Sequence, residues 1–305
     1  MTVTSPPITA DPAVVRVFVE TIHAAAATAF KGADRPGLLQ LGRIHPADGK
    51  YLSLRYRIGD VEQMTAQAVR DANAGFNVYI EGRTVSETAT GRGDAAATRG
   101  VFAFVIDDDA DKGKGARSSV AASMVVSSSP GNTHQWIFLD RALTADQATP
   151  LGKALRETVG GDSATGNPTQ PFRVAGTPNF PNRAKLARGR VVTTTKILEA
   201  AGKTWSTEDL RAAFPARPQP EASAASGTRA TGKSGRTSDK ATEILAKVGG
   251  DRSGLFHAAA AAAFADDLTV DDFEDLVRRH PDGCGGKYLK SSDRLRREIE
   301  RSWGS

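Results

Sequence analysis

The spacing of apolar positions along the chain predicts a mixture of helices and hairpin-like strands. Apolar residues recur every three or four positions between Val14 and Ile22, where Asp11 provides a helix N-cap and Pro12 suits the first turn. Similar patterns predict helices over residues 61–74, 144–159 and 192–200. Short apolar runs bounded by turn residues predict strands over residues 38–44, 51–58, 76–80, 102–106, 120–127 and 133–139, and residues 82–100 are predicted to be a loop. This interleaving favours an α+β fold over a doubly wound parallel sheet.

Composition divides the chain into four parts. Residues 1–10 are predicted to be a loose tail, and residues 11–214 form the α+β domain. Residues 215–250 are rich in Pro, Ala, Ser, Thr and Gly, with few large apolar side chains, which is typical of a flexible linker. A short helix is predicted within that linker, over residues 242–248. Residues 251–305 are predicted to be a small all-α domain, in which Thr269 and Asp272 suit a capping box.

Charge and cysteine content limit the classes of function. The 305 residues carry 40 Lys and Arg against 35 Asp and Glu, a net charge of +5 that permits a polyanionic partner without requiring one. The single cysteine excludes a disulfide framework and a cysteine-rich zinc site. No basic-then-apolar leader and no run of membrane-spanning length is present, so we expect a cytoplasmic protein with no membrane partner.

An acidic cluster follows the apolar run Phe102–Ile106. Asp107, Asp108, Asp109 and Asp111 come directly after it, and residues two apart in a strand share a face, so Asp107 and Asp109 are expected to point the same way. Two carboxylates about 4 Å apart repel by roughly 4 kcal/mol at an effective dielectric of about 20. A shared proton, an arginine, or Mg²⁺ or Mn²⁺ would offset that repulsion. An acidic turn in water is the alternative interpretation.

A second group of candidates surrounds the turn that precedes the predicted strand over residues 133–139. Ser129 and Asn132 lie in a Ser-, Gly- and Asn-containing turn whose backbone N–H groups could bind a phosphate. His134 begins the strand, at a sequence distance from Asp107 that fits a neighbouring strand of one sheet. A histidine beside carboxylates and a metal could hydrogen-bond a triphosphate, whereas a satisfied strand-edge histidine is the alternative.

A third group lies in and after the loop over residues 160–171. Asp162 would supply a third carboxylate to a metal site, and Arg173 could bind a phosphate through two N–H groups. Gly176 would let the backbone approach a ligand closely. Ordinary Asn, Pro and Gly turn chemistry is the alternative for each residue taken singly.

The segment after Asn179 is basic. We expect Arg183, Lys185, Arg188 and Arg190 to bind a nucleic-acid backbone, with a solvated surface as the alternative. The segment Gly227–Ser234 also matches the phosphate-loop pattern, but linker sequence surrounds it where a buried strand and a helix are needed. We therefore interpret that match as accidental.

Taken in order, these segments resemble the RepB-like DNA primase domain, a branch of the archaeo-eukaryotic primase superfamily. The resemblance covers residues 18–200 and rests on an ordered set of segments: 75–80, 99–100, 107–109, 129–136, 161–162 and 171–179. It implies an RRM-like core with an N-terminal α/β unit. It places the paired metal-binding aspartates on Asp107 and Asp109, the nucleotide-contacting histidine on His134 and a third carboxylate on Asp162. Asn167 stands nearest to the family's common third-carboxylate position.

The activity that this resemblance implies is template-directed nucleotidyl transfer, the synthesis of primers on single-stranded DNA from nucleoside triphosphates with two Mg²⁺ or Mn²⁺ ions. Any unwinding would need a separate helicase, since no helicase domain is recognised in this chain. A non-catalytic replication initiator or DNA-binding adaptor with a degenerate primase fold is the alternative. A relaxase-type nicking enzyme ranks third, because it needs a histidine pair on one strand and His134 is followed by Gln135 and Trp136.

Overall fold

The computed structural model divides into two units, Met1–Pro220 and Glu221–Ser305. It describes residues 8–47, 49–93, 95–109, 118–160, 164–187, 189–215, 238–247, 251–289 and 292–303, with the backbone alone at residues 109, 184, 185, 292 and 293. The phosphate-loop-like segment and most of the predicted linker lie outside these ranges.

The first unit is built around one large sheet. Its described strands are β1 Leu38–Ile44, β2 Tyr51–Tyr56, β3 Asn77–Val85, β4 Thr98–Asp109, β5 Met124–Ser129, β6 Asn132–Leu143, β7 Pro171–Arg173, β10 Lys196–Ala200 and β11 Thr204–Trp205. The strand order is β10-β5-β6-β4-β3-β1-β2, with β7 paired to β3 and β11 paired to β6. A separate pair joins β8 Pro178–Asn179 to β9 Thr193–Thr194. All of these pairings are antiparallel except that of β11 with β6, which confirms an α+β arrangement.

Helices cover both faces of the sheet. They are α1 Pro12–Ala29, α2 Val61–Asn73, α3 Ala145–Val159, α4 Arg183–Leu186 and α5 Thr207–Ala213. One face of the central strands, including Val105 and Trp136, belongs to the same apolar cluster as α1 and α2. The alternate residues, such as Phe104 and Ile137, pack with α3 and α5. Burial on both faces explains why Phe102–Ile106 is a continuous apolar run rather than an alternating one.

The sheet divides between β3 and β4. One edge of β3 pairs with β1 at both ends, with a register shift between Leu39 and Leu41, and the other edge is shared by two partners. Residues 83–85 pair with β4, whereas residues 79–81 pair with the short strand β7. The acidic end of β4 therefore diverges from β3, and β7 occupies the position beside the first half of β3. This division brings residues of β3, β4, β6 and β7 to one end of the sheet.

Several predicted elements have other bounds or another conformation in the structure; the strand predicted over residues 120–127, for example, is β5, Met124–Ser129. The predicted loop over residues 82–100 is shorter, because β3 continues to Val85 and β4 begins at Thr98. Part of the predicted loop is buried inside the sheet, where Arg83 Nε donates to Glu81 Oε2 at 2.6 Å. Arg92, partly exposed in the loop that remains, donates from Nε to Glu81 Oε1 at 2.8 Å. The predicted helix over residues 192–200 is extended, forming β9 and β10. Its β-branched residues from Val191 to Thr195 disfavour a helix, and β10 pairs with the edge of β5.

A buried histidine fixes α1 to the turn that begins α2. His23 Nδ1 accepts a hydrogen bond from the Gly59 N–H at 2.9 Å, and Nε2 lies 3.3 Å from Met64 Sδ. Burial lowers the pKa of His23 below its ordinary 6.5, and the charge of Asp60 opposes this shift only in part. The neutral ring is therefore the form that suits the folded chain.

We expect the free energy of unfolding to fall as the pH is lowered below 6.5, the ordinary pKa of histidine. Below that pH the unfolded chain binds a proton at His23 that the folded chain resists, so the stability present above it is lost. Urea unfolding at a series of pH values measures this effect. A His23→Gln variant should show a shallower fall with pH than the parent, and an identical fall would contradict the assignment.

The second unit is helical. Its helices are α6 Asp239–Leu245, α7 Arg252–Ala265, α8 Val270–Arg279 and α9 Ser292–Ser302, with a 3₁₀ turn at Gly286–Tyr288. They share an apolar core that includes Phe256, Phe273 and Leu295. Thr269 and Asp272 form the predicted capping box. Helix α6, which the sequence placed within the linker, contributes Ala241 and Leu245 to this core. Among the described residues of the whole chain, no helix combines the length and apolar character needed to cross a membrane.

Candidate active site at the acidic end of the central strands

The sheet places Asp107 beside His134, as predicted from the sequence. The two residues are direct cross-strand partners on β4 and β6. His134 Nε2 lies 3.6 Å from Asp107 Oδ1, and the side chains are 9% and 18% exposed, respectively. The Phe172 ring packs edge-on against the His134 ring at 5.1 Å and fixes it from the core side. The pair is thus a fixed, polar end of an otherwise apolar sheet face.

The antiparallel pairing of β4 with β6 continues beyond this pair to the end of β4. Asp109 lies opposite Asn132 in the backbone pairing, two residues from Asp107 along β4. The side chain of Asp109 is outside the described part of the chain, so its predicted role as a metal ligand stays a prediction. Asp108 lies between Asp107 and Asp109, opposite Thr133. It is two residues from Ile106 and therefore on the same face of the sheet as Ile106. Ile106 belongs to the apolar cluster of α3, on the other face of the sheet from Val105.

The predicted phosphate-binding turn connects β5 to β6. Ser129 and Asn132 are paired across it, and Gly131 adopts φ of 79°, a conformation that glycine accepts most readily. Asn132 Nδ2 donates to Ser129 Oγ at 3.0 Å, which fixes the two predicted residues to each other. The next segment is also anchored here, since Asn179 Nδ2 donates to the Ser128 carbonyl at 2.6 Å.

The loop after α3 reaches the acidic end of β4. The Asp107 N–H donates to Thr165 Oγ1 at 3.0 Å, and the Gly166 N–H donates to the Val105 carbonyl at 2.9 Å. Gly166 crosses Gly152 of α3 so closely that a Cβ at residue 152 would lie 1.9 Å from the Gly166 oxygen. The described part of this loop therefore lies against the strand that carries Asp107. Asp162, the predicted third carboxylate, is outside the described residues.

Arg173 enters the site from β7. Its guanidinium carbon lies 5.0 Å from the centre of the Tyr79 ring, and Nη1 donates to Asn77 Oδ1 at 2.6 Å. Burial lowers the pKa of Arg173 below the ordinary value of a guanidinium, whereas Tyr79 and then the Asp107 carboxylate raise it. Asp107 is thus one of the charges that act on Arg173, the predicted phosphate-binding residue.

The basic segment is only partly described. Arg183 begins α4 and is exposed, and Arg190 is partly buried. The side chain of Lys185 and the whole of Arg188 lie outside the described residues. The predicted nucleic-acid role of these four residues stays a prediction.

The donor chemistry at this end of the sheet suits a hard cation. Asp107 offers carboxylate oxygens that are partly open to solvent, and the other predicted ligands, Asp109 and Asp162, are also carboxylates. Within the ranges that the structure describes, no three His, Cys, Asp or Glu side chains gather into a metal-binding group. Of the three predicted metal ligands, Asp107 has a described side chain, and the side chains of Asp109 and Asp162 lie outside the described part of the chain.

Sequence reasoning did not identify Asn77 and Tyr79 as site residues. Both lie on β3, and both contact Arg173. They fall within the segment 75–80 that carries part of the family resemblance, but no local pattern indicates a partner far along the chain.

Comparisons with known proteins give structural relatives only. No protein-family model matches the chain, and no curated protein matches it. The AEP domain of the primase-polymerase of cyanophage S-2L is similar at 15% identity and a TM-score of 0.48, over 68% of this chain and 100% of that chain. Primase RepB′ is similar at 17% identity and a TM-score of 0.43, over 93% and 95% of the two chains. The catalytic domain of primase RepB′ in complex with initiator DNA is similar at 19% identity and a TM-score of 0.41, over 63% and 93%.

Proposed function

We propose that this chain is a template-directed nucleotidyltransferase that makes primers on single-stranded DNA. The observation that carries the proposal is the direct pairing of Asp107 with His134 at the acidic end of β4. Arg173 lies on a third strand, β7, directly after Phe172, whose ring packs against the His134 ring. A carboxylate and an imidazole at one strand end, with a half-buried guanidinium on β7, are the groups that a metal-bound nucleoside triphosphate requires.

The reaction is attack of a primer 3′-hydroxyl oxygen on the α-phosphorus of the incoming nucleotide. The bond from that phosphorus to the bridging oxygen breaks, pyrophosphate leaves, and the hydroxyl proton passes to solvent. Arg173 would bind the negative charge of the triphosphate through its N–H groups, and its stacking on Tyr79 restricts the directions in which it can donate. His134, fixed by Phe172, would hydrogen-bond a phosphate oxygen. Positioning and charge neutralisation would supply most of the rate.

Asp107, together with Asp109 and Asp162, would hold two divalent cations, Mg²⁺ or Mn²⁺. When bound, such ions neutralise phosphate charge and lower the pKa of the attacking hydroxyl. The Asp107 backbone is fixed on one side by β6 and on the other by Thr165, so its carboxylate starts from a defined position. The template would lie along the basic segment containing Arg183, Lys185, Arg188 and Arg190. A separate helicase would supply any unwinding.

A primer-synthesis assay tests the proposal. Single-stranded DNA, labelled nucleoside triphosphates and Mg²⁺ or Mn²⁺ are incubated with the full chain, and the products are sized and sequenced. We expect short products complementary to the template. DNA binding without any template-dependent product, with either metal and with ribo- or deoxyribonucleotides, would contradict the proposal and favour the non-catalytic initiator or adaptor.

A further inference from the structure

One buried side chain connects the arginine of the site to the start of the basic segment. Asn77, the first residue of β3, is 4% exposed. Its Oδ1 accepts from Arg173 Nη1 at 2.6 Å and from the Phe180 N–H at 2.8 Å. Its Nδ2 donates to the Phe180 carbonyl at 2.9 Å. The amide therefore makes both of the backbone hydrogen bonds available at Phe180, and it also binds the guanidinium.

These hydrogen bonds define the orientation of the amide. In this orientation the amide oxygen faces two N–H donors and the amide nitrogen faces a carbonyl. In the reversed orientation the NH₂ group would face the two N–H donors, with which it cannot hydrogen-bond. An aspartate would lose the donor, and an aliphatic side chain of similar size would lose all three hydrogen bonds. A buried hydrogen bond to a charged partner is stronger than a neutral one, so Arg173 has the most to lose.

Two other interactions also restrain Arg173, in addition to its hydrogen bond with Asn77. The Tyr79 ring restrains the face of the guanidinium, and the β3–β7 pairing fixes its backbone. The hydrogen bond to Asn77 holds Nη1 in addition to these contacts, so it helps to fix the direction in which the guanidinium donates. Phe180 in turn precedes Arg183, at which α4 begins. One amide thus holds the arginine and the entry to the basic segment in a fixed relation.

We propose that Asn77 is a positioning residue that aligns Arg173 for the triphosphate and fixes the basic segment for the template. This inference rests on the proposed function and deepens it. Asn77 does not touch the reacting atoms. It acts through Arg173 on one side and through Phe180 on the other.

The test uses Asn77→Leu in the full chain, with Asn73→Ala as a matched control. Asn73 is an exposed residue at the end of α2 whose Oδ1 accepts from the Ala10 N–H, at the N-terminal side of α1. Isothermal titration with the Mg²⁺ complexes of ATP and dATP measures triphosphate binding without requiring polymerisation. Fluorescence anisotropy with a labelled oligodeoxythymidylate measures single-stranded DNA binding. Thermal unfolding reports whether each variant folds.

We expect Asn77→Leu to weaken triphosphate binding by about tenfold and also to weaken oligonucleotide binding, whereas Asn73→Ala changes neither. The diagnostic measurement is a double-mutant cycle with Arg173→Gln. If Asn77 acts through Arg173, adding Asn77→Leu to Arg173→Gln causes no further loss of triphosphate affinity. In primer extension, Asn77→Leu should raise the KM for the nucleotide more than it lowers kcat.

The outcomes separate the inference from the function on which it rests. A parent chain that binds neither triphosphate nor oligonucleotide overturns the proposed function. A parent that binds both, with an Asn77→Leu variant that binds equally well or whose loss is additive with that of Arg173→Gln, overturns the inference. Should Asn77→Leu fail to fold, Asn77→Ser keeps one hydrogen-bonding oxygen and the same cycle applies. We then expect a smaller loss of affinity, again absent in the Arg173→Gln background.

Discussion

Replacing Asp107 by asparagine is expected to lower the rate of nucleotide incorporation by at least about 100-fold, the order that loss of one electrostatic group costs at such sites. Asparagine has nearly the same shape, so the pairing of β4 with β6 and the bond from the residue 107 N–H to Thr165 are retained. What is lost is the negative charge that would hold a cation and that acts on Arg173. Single-turnover extension of a labelled primer measures the effect.

Asp108→Asn is the matched control for this prediction. It removes the same charge from the next residue of the same strand. The side chain of that residue lies on the face of the sheet that packs with α3, not on the face that carries His134. We expect an incorporation rate within about threefold of the parent, since the Asp108 side chain projects from the other face of the sheet from His134. Equal losses in the two variants would mean that the total acidity of the strand end matters, and the individual role assigned to Asp107 would be wrong.

Arg173→Lys is expected to raise the KM for the incoming nucleotide by about 10- to 100-fold, with a smaller effect on kcat. A lysine keeps the charge but lacks the planar set of N–H groups that binds Asn77 and a phosphate together. Steady-state extension over a range of nucleotide concentrations separates the two parameters.

The control for Arg173 is Arg141→Lys, the same substitution at an exposed residue of β6. It should leave KM and kcat within about twofold of the parent, because an exposed charge interacts weakly with the site. A KM unchanged in Arg173→Lys, with the triphosphate still bound, would show that charge alone suffices at this position. The geometric role given to the guanidinium would then be wrong.

The central strands and the Asp107–His134 pair could be predicted from the sequence because the signals are local. A five-residue apolar run ending in aspartates marks the end of a buried strand, and a turn rich in Ser, Pro, Gly and Asn marks a hairpin. Once both strands are placed in one sheet, alternation alone puts residues 107 and 134 on one side. The structure confirms this pairing in its register.

The contacts of Arg173 could not be predicted because they join distant parts of the chain. Asn77 and Arg173 are 96 residues apart, and nothing near either residue indicates the other. The division of the sheet also has no local signal, since it depends on β7 displacing β4 from half of one edge of β3. The misassigned helix over residues 192–200 is only partly such a case: its β-branched start was a local signal for a strand, whereas the pairing of β10 with the edge of β5 was not.

A crystal structure of the full chain with Mn²⁺ and a non-hydrolysable nucleoside triphosphate tests the central claim most directly. The account predicts an anomalous manganese peak within coordination distance of an Asp107 carboxylate oxygen, and triphosphate oxygens within hydrogen-bonding distance of His134 and Arg173. Manganese and nucleotide bound elsewhere, with the Asp107 carboxylate contacting neither, would contradict it.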